Sequence, residues 1–407
     1  MMLPVDKAFN LILDKIKPLD ELELVDLNQA IHRILGQSVN SPLDFPYQDN
    51  SAMDGYAVRF EDVVEAKKSQ PVVLEVVEEI SAGCVPQKMI SHQQCSRIFT
   101  GGILPQGADT IVIQENTQME DNRVKILESP TQYQFVRKKG SFYRAKDCLL
   151  PSGLKINTPE IAILATAQCM KVPVVRSPLV ALLSTGNELI NPSQPLTVGK
   201  IIDSNQYLLS SFVAQNGAVP VPMGIVPDDK EKLATAIATA LNKADFVFST
   251  GGVSVGDYDY VQEVLTELGG EILLDKVAIK PGKPLTVAVF PDNKLYFGIP
   301  GNPVSTMVIG WRFLRSAIAK LSGNKDYYLP SFIRGITCHN LRSDGKRETY
   351  LWGKAKVVNG IYEFTPAKGL HNSANLVNLQ QTKALAKIPV GTNNIDEREE
   401  VQIMLID

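Results

Sequence analysis

Cysteine is scarce in this 407-residue chain, and it is not arranged to do chemistry. Cys84, Cys95, Cys148, Cys169 and Cys338 are scattered, odd in number and never spaced as Cys-x-x-Cys. That excludes a disulfide framework and a thiolate zinc site, and it suits a reducing compartment. An excess of one charge is missing as well: 41 Lys and Arg face 44 Asp and Glu, for a net charge of −3. Such a chain offers no basic field to a nucleic acid. Long apolar runs are absent; the longest, 161–170, is too short to span a bilayer and contains Gln168. The amino-terminal segment interrupts Ala8, Leu11, Ile12 and Ile16 with Asp14 and Lys15, which is too polar for a secretory signal. The four histidines (His32, His92, His339, His371) are dispersed and form no Ser-His-Asp pattern. The expectation is a cytoplasmic protein without membrane or nucleic-acid partners, and without imidazole catalysis.

What is present is ordinary globular composition, 44% hydrophobic and 21% charged, in a chain long enough for two to four domains. Residues 4–17 read as a helix stopped by Pro18, and 27–35 as a second amphipathic stretch ending at Gly36. Residues 41–58, rich in Pro and Asp, suit neither helix nor strand and read as a crossing between domains. Short strands follow at 72–77, 95–99, 110–113 and 123–126, the pattern of an inserted β domain. A helix at 159–168 and a strand at 172–175 return the chain to its first scaffold.

From residue 179 the pattern becomes a regular strand–helix alternation: strands at 179–183, 218–223, 244–248, 272–279, 285–289 and 295–297, with helices at 203–215, 229–241 and 303–319. Buried strands alternating with helices predict an open, mostly parallel α/β sheet. Ligands of such sheets bind beyond the carboxyl ends of the strands. The loops 184–188, 227–229, 249–260 and 298–303 all fall on that edge. The 249–260 loop, STGGVSVGDYDY, joins Gly251, Gly252 and Gly256 with the Thr250 and Ser254 hydroxyls and the Asp257 and Asp259 carboxylates. Its glycines permit positive φ and close approach of an oxyanion to the backbone. It is neither a Walker A loop nor a GxGxxG turn. Lys276 and Lys280 alternate at strand spacing, and with Lys283 they would hold anionic groups beside this loop. Glu188, Asp228, Asp257 and Asp259 are hard oxygen ligands suited to Mg²⁺. After 328 the chain turns β-rich, as a small barrel or sandwich.

Seven ordered motifs then carry a family resemblance: PYQDNSAMDGYAV, RIFTGG, LLSTGNEL, GKIIDSNQ, STGGVSVGDYDY, AIKPGKP and FGIPGNPVS. Together the chain resembles the molybdopterin molybdenumtransferases, the MoeA proteins related to the E domain of gephyrin. The resemblance implies a homodimer and four domains: a scaffold (1–44 and 142–176), an inserted β domain (45–141), a MoaB/MogA-like α/β molybdopterin-binding domain (177–326) and a C-terminal β-barrel (327–407). It implies insertion of molybdate into adenylylated molybdopterin with release of AMP, and a need for Mg²⁺. The molybdopterin adenylyltransferase and the recipient molybdoenzymes are the implied protein partners. By position it assigns the pterin and its phosphate to Thr250, Gly251, Gly252, Ser254 and Asp259, with Pro300 and Pro303 shaping the adjacent loop. Glu188 and Asp228 are the implied active-site acids and metal ligands, and Lys276 and Lys280 would face the anion. Asp54 and Thr100, with Arg137 in the binding set, match positions on the first half, which in this family completes the cleft from the partner subunit.

The chain departs from the family where it reads Gly140-Ser141-Phe142 in place of Gly-Glu-Asp, where Asn187 replaces a frequent aspartate, and around 371–374. Loss of the two carboxylates leaves a second reading: a pterin-binding or scaffold paralogue with reduced or absent metal insertion.

Overall fold

The computed structural model describes residues 2–252, 260–325, 329–369 and 371–406. Ser254, Gly256, Asp257 and Asp259 of the glycine loop lie outside the described residues. The chain divides into two compact units, one of residues 1–37, 152–161 and 171–407 and one of residues 38–151 and 162–170.

The larger unit is built on a six-stranded sheet. Its order is Val219–Val226, Leu179–Thr185, Phe246–Thr250, Lys294–Ile299, Pro284–Phe290 and Glu271–Lys276. The first four are parallel, and Pro284–Phe290 runs antiparallel to both its neighbours. Phe246–Thr250 is buried along its whole length, with an apolar start, Phe246 to Phe248, because helices cover both faces. One face packs on Val5–Lys15, Asn205–Gln215 and the helical run from Pro303 to Leu321, the other on Lys230–Lys243 and Val261–Glu267. The open, mostly parallel α/β sheet expected from the alternation is therefore present. A C-terminal β-barrel is present too: Glu348–Val358, Ile361–Pro366, Phe332–Thr337, Glu400–Leu405 and Ala384–Ile388 pair in a ring that closes back on Glu348–Val358. Tyr350, Trp352, Leu385 and Met404 of the barrel join the core of the first sheet face.

Three readings of this unit change. Residues 27–35 are not a helix; only a 3₁₀ turn, Leu27–Gln29, forms. Leu35 and Gly36 instead donate to the Leu154 and Pro173 carbonyls, so tertiary pairing rather than helical periodicity buries Ile34 and Leu35. The strand expected over 272–279 stops at Lys276, because Leu3 inserts its backbone there, donating to Lys276 and accepting from Ala278. Ile279–Lys280 then pairs with the barrel. The helix expected over 303–319 runs on to Leu321 through a π turn at Gly310–Leu314.

The smaller unit holds a second six-stranded sheet, ordered Thr110–Ile113, Gly55–Val58, Gln94–Ile98, Val72–Ile80, Arg123–Ile126 and Thr117–Glu120. Gly55–Val58 lies inside this sheet and is wholly buried, although the sequence around it reads as a crossing loop. A Cβ on Gly55 would overlap the Val112 carbonyl, so glycine is what lets the two strands approach.

Candidate active site

Parallel register brings Thr185, Val226, Thr250 and Ile299 to the same carboxyl edge of the large sheet. The Thr185 hydroxyl donates to the Thr250 carbonyl at 3.3 Å, and the Gly251 N–H to the Ile299 carbonyl at 3.3 Å. Gly251 sits at φ +88°, where an added Cβ would overlap the Thr185 carbonyl oxygen. Gly252, at φ +62°, leaves a Cβ only 3.0 Å from the Thr185 hydroxyl. The Gly301 loop lies against the same turn: a Cβ on Gly301 would be 3.8 Å from the Gly251 Cα. Asn205, at the start of its helix, donates to the Gly301 carbonyl at 2.7 Å. Pro300 accepts from the Thr306 hydroxyl at 2.8 Å, and Pro303 opens the next helix at its first position, where a missing N–H costs nothing. This edge thus gathers Thr250, Gly251, Gly252, Pro300 and Pro303. Two of its buried polar atoms, Ser184 Oγ and Asn205 Oδ1, have no hydrogen-bond partner among the described residues. Native proteins leave few such atoms, and a bound ligand or water is a common reason for one.

The acids stand on two adjoining loops held in a reciprocal clamp. Asn187 N–H donates to the Asp228 carboxylate at 3.0 Å, and Asp228 N–H to the Asn187 amide oxygen at 3.2 Å. The amide oxygen accepts here just as a carboxylate would, so Asn187 in place of aspartate keeps the loop closure. Glu188 follows directly, its carboxylate occupying the space beside Gly186 that a Cβ would fill. Among the described residues no three His, Cys, Asp or Glu side chains gather as a metal cage. Mg²⁺, however, commonly takes only one or two protein carboxylates beside water and phosphate oxygens. Glu188 and Asp228 fit that donor set in kind.

Lys276 and Lys280 both keep half-exposed positions while Val277 and Ile279 between them are buried, but the two lysines belong to different sheets. Lys276 pairs with Asp275 at 3.3 Å. Lys280 pairs with Asp344 of the barrel at 3.1 Å, and Arg347 reaches the same oxygen at 3.3 Å. Partial burial pushes the Asp344 carboxyl up, but the bonds from Lys280, the Lys346 N–H and Arg347 outweigh it and hold the group at about 2. Asp344, Arg347 and the buried Asn205 were not foreseen from sequence. Nor was Ser373, whose hydroxyl accepts from Asn302 at 3.3 Å and whose carbonyl accepts the Val304 N–H. The barrel residues carry no local motif; only the pairing of Ile279–Lys280 with Glu348–Val358 brings Asp344 and Arg347 to the lysine.

The remaining expected residues lie in the smaller unit. Asp54 accepts from the Thr100 N–H at 2.7 Å and from the Thr100 hydroxyl at 2.8 Å. These two bonds, backbone first, hold the Asp54 carboxyl below its usual range. Arg137 lies on a short strand, Val136–Arg137, paired with Asn50–Ser51 a few residues before Asp54. Phe142 is 62% exposed and packs its ring 5.9 Å from Phe45, which stacks in turn on Tyr143 at 5.2 Å. Arg144 and Asp147 close a local turn on each other, with Asp147 accepting the Arg144 N–H at 2.7 Å.

The fold thus combines a mostly parallel α/β sheet, whose carboxyl edge carries glycines, hydroxyls and paired acids, with a β-barrel that holds Lys280. Family models agree in chain order: "MoeA N-terminal region (domain I and II)" matches residues 3–167, "Probable molybdopterin binding domain" 181–320 and "MoeA C-terminal region (domain IV)" 334–406. The chain belongs to the molybdopterin molybdenumtransferase (MoeA) family. It is 50% identical to the molybdopterin molybdenumtransferase of Nostoc sp. over 97% of this chain and 91% of that one. To the Bacillus subtilis protein of the same name it is 33% identical, over 99% and 94% of the two chains. The crystal structure of a molybdopterin biosynthesis moeA protein from Pyrococcus horikoshii OT3 superposes with a TM-score of 0.85 at 28% identity, covering 100% of both chains.

Proposed function

We propose that this chain is a molybdopterin molybdenumtransferase that inserts molybdate into adenylylated molybdopterin and releases AMP. What supports the reading is the sheet edge itself, where the positive-φ Gly251 and Gly252 stand beside two buried polar atoms without a partner among the described residues, which favours a bound phosphate. Relatives bearing the transferase name favour an enzyme over a pterin-binding scaffold. Thr250, Gly251 and Gly252 would bind the pterin phosphate, with Ser254 and Asp259 completing that set and Pro300 and Pro303 fixing the loop beside it. Lys276 and Lys280 would neutralise the molybdate dianion and the phosphates, an electrostatic role that needs no proton relay. Glu188 and Asp228 would hold Mg²⁺, which when bound supplies charge neutralisation at the departing adenylate. Asp54, Thr100 and Arg137 are assigned to the same chemistry, Asp54 staying ionised because Thr100 holds it so.

This reading includes a cytoplasmic homodimer and the four-domain division 1–44 with 142–176, 45–141, 177–326 and 327–407. Light scattering should give a mass of two 44.6 kDa chains. Purified protein with adenylylated molybdopterin, Mg²⁺ and molybdate should release AMP and reconstitute a recipient molybdoenzyme. Tight binding of the adenylylated pterin with no AMP release would overturn it. Replacing molybdate by water alone should stop cofactor formation, and adding a chelator should slow AMP release with pterin affinity largely retained.

A further inference from the structure

A cavity of about 840 Å³ opens in the larger unit, at the amino ends of the same parallel strands. Pro178 and Gly217, which precede the strands Leu179–Thr185 and Val219–Val226, line it. It therefore lies a strand length, roughly 20 Å, from the glycine edge. Its volume falls within the usual range for small-molecule sites. Arg33, Lys155, Arg176 and Arg315 are in its wall, and the lining contains no Asp or Glu. The acids that serve these cations stand outside the lining: Glu23 pairs with Arg33, and Glu21 and Asp245 with Arg176. Lys155 and Arg315 have no carboxylate partner among the described residues; Arg315 is fixed instead by donating to the Ile406 carbonyl. The same lining includes the buried Phe212 and the half-exposed indole of Trp311, which stands one helical turn before Arg315.

From this arrangement we infer that the cavity is a second ligand site, for an amphipathic organic anion with a planar body. The anionic group sits against Lys155 and Arg315, with Arg33 beside them, and the planar body lies on Trp311 and Phe212. Arginine held by a main-chain carbonyl keeps its fork in place, so little further order is lost when it takes an oxyanion. An ammonium and a guanidinium sharing one cleft repel each other, and a bound anion relieves that repulsion. The site is separate from the proposed transferase centre, and it does not depend on that assignment.

The chain has two tryptophans, and Trp352 is 1% exposed and absent from the cavity lining, so a ligand-induced change in emission is expected from Trp311. Titrating AMP into the full chain should give a saturable change in emission that disappears in Trp311→Phe. Affinity should fall tenfold or more in Lys155→Gln and in Arg315→Gln, and stay unchanged in Asp228→Asn. Inorganic phosphate, which lacks the planar body, should bind at least tenfold more weakly than AMP. Turnover of adenylylated molybdopterin at saturation should be unaffected by Lys155→Gln, a variant that leaves the Arg315 anchor in place. A signal lost in Asp228→Asn but kept in both cavity variants would assign it to the glycine edge and overturn the inference. So would the absence of any saturable response to AMP or phosphate.

Discussion

At the residue scale, Gly251 separates backbone necessity from ordinary glycine. Its φ of +88° alone would disfavour any other residue, but Gly199 has a similar φ of +83° with open space around its Cβ position. Gly199→Ala therefore carries only the left-handed penalty, about 1 kcal/mol. Gly251→Ala adds overlap with the Thr185 carbonyl, for roughly 2–5 kcal/mol in all, and it displaces the edge where phosphate would dock. Urea unfolding should rank the two in that order, and only Gly251→Ala should weaken pterin binding tenfold or more. Asp344 gives a second test at this scale. Its folded pKa, about 2, lies below its unfolded value near 3.8, so the folded state prefers the carboxylate. Its contribution is full above about pH 4 and fades as pH falls towards 2. Urea midpoints of the wild type and Asp344→Asn should differ by a constant amount above pH 4 and converge below it; a gap that widens on acidification would contradict the Lys280–Asp344 pairing.

At the element scale, the 371–375 segment docks the barrel onto the α/β edge, through Ser373 on the 302–304 turn and His371 on Trp352 at a ring separation of 4.6 Å. His371 stays exposed at its surface, but desolvation of its ring against Trp352 pushes the pKa down, against a smaller upward pull from its bond to the Ala367 carbonyl. The folded state thus binds the neutral imidazole, and protonation opposes docking. Stability from this contact is complete above about pH 6.5 and declines as pH drops through the lowered folded value. Thermal scans from pH 7.5 to 5 should show a loss in the wild type that His371→Gln lacks. The element scale also shows what sequence can disclose. Strands 110–113 and 123–126 stand where their short runs bounded by turn residues put them, and the buried strands of the large sheet were legible because both faces are covered and apolar residues predominate. The positive φ of Gly251 and Gly252 was legible because it is a local demand of the backbone. What misled was chain geometry decided from afar: Ile34 and Leu35 follow a helical period but are buried by the 153–156 and 173–174 segments, and Leu3 cuts the lysine strand in two. The contribution of Asp344 and Arg347 depends on contacts 64 and 68 residues distant and has no sequence mark.

At the scale of the whole molecule, two cores follow from the two units. Ile126, fully buried with Val124, Leu74 and Tyr56, belongs to the smaller one; Ile403, fully buried with Phe364 and Ala386 inside the barrel, belongs to the larger. Each isoleucine fills space that its neighbours cannot close over, so truncation to alanine should cost about 2–5 kcal/mol in its own unit. A single all-or-none transition would spread either loss over the entire chain, whereas separate cores confine it. Calorimetry should therefore show two transitions, with Ile126→Ala lowering one by about 10 °C and Ile403→Ala lowering the other. Because the glycine edge lies in the larger unit, the transition moved by Ile403→Ala is also the one that saturating adenylylated molybdopterin should raise, by about 2.7 kcal/mol at a hundredfold excess over Kd. If both isoleucine variants shifted one common transition, the units would be melting as a single body, and ligand protection could no longer be assigned to one of them.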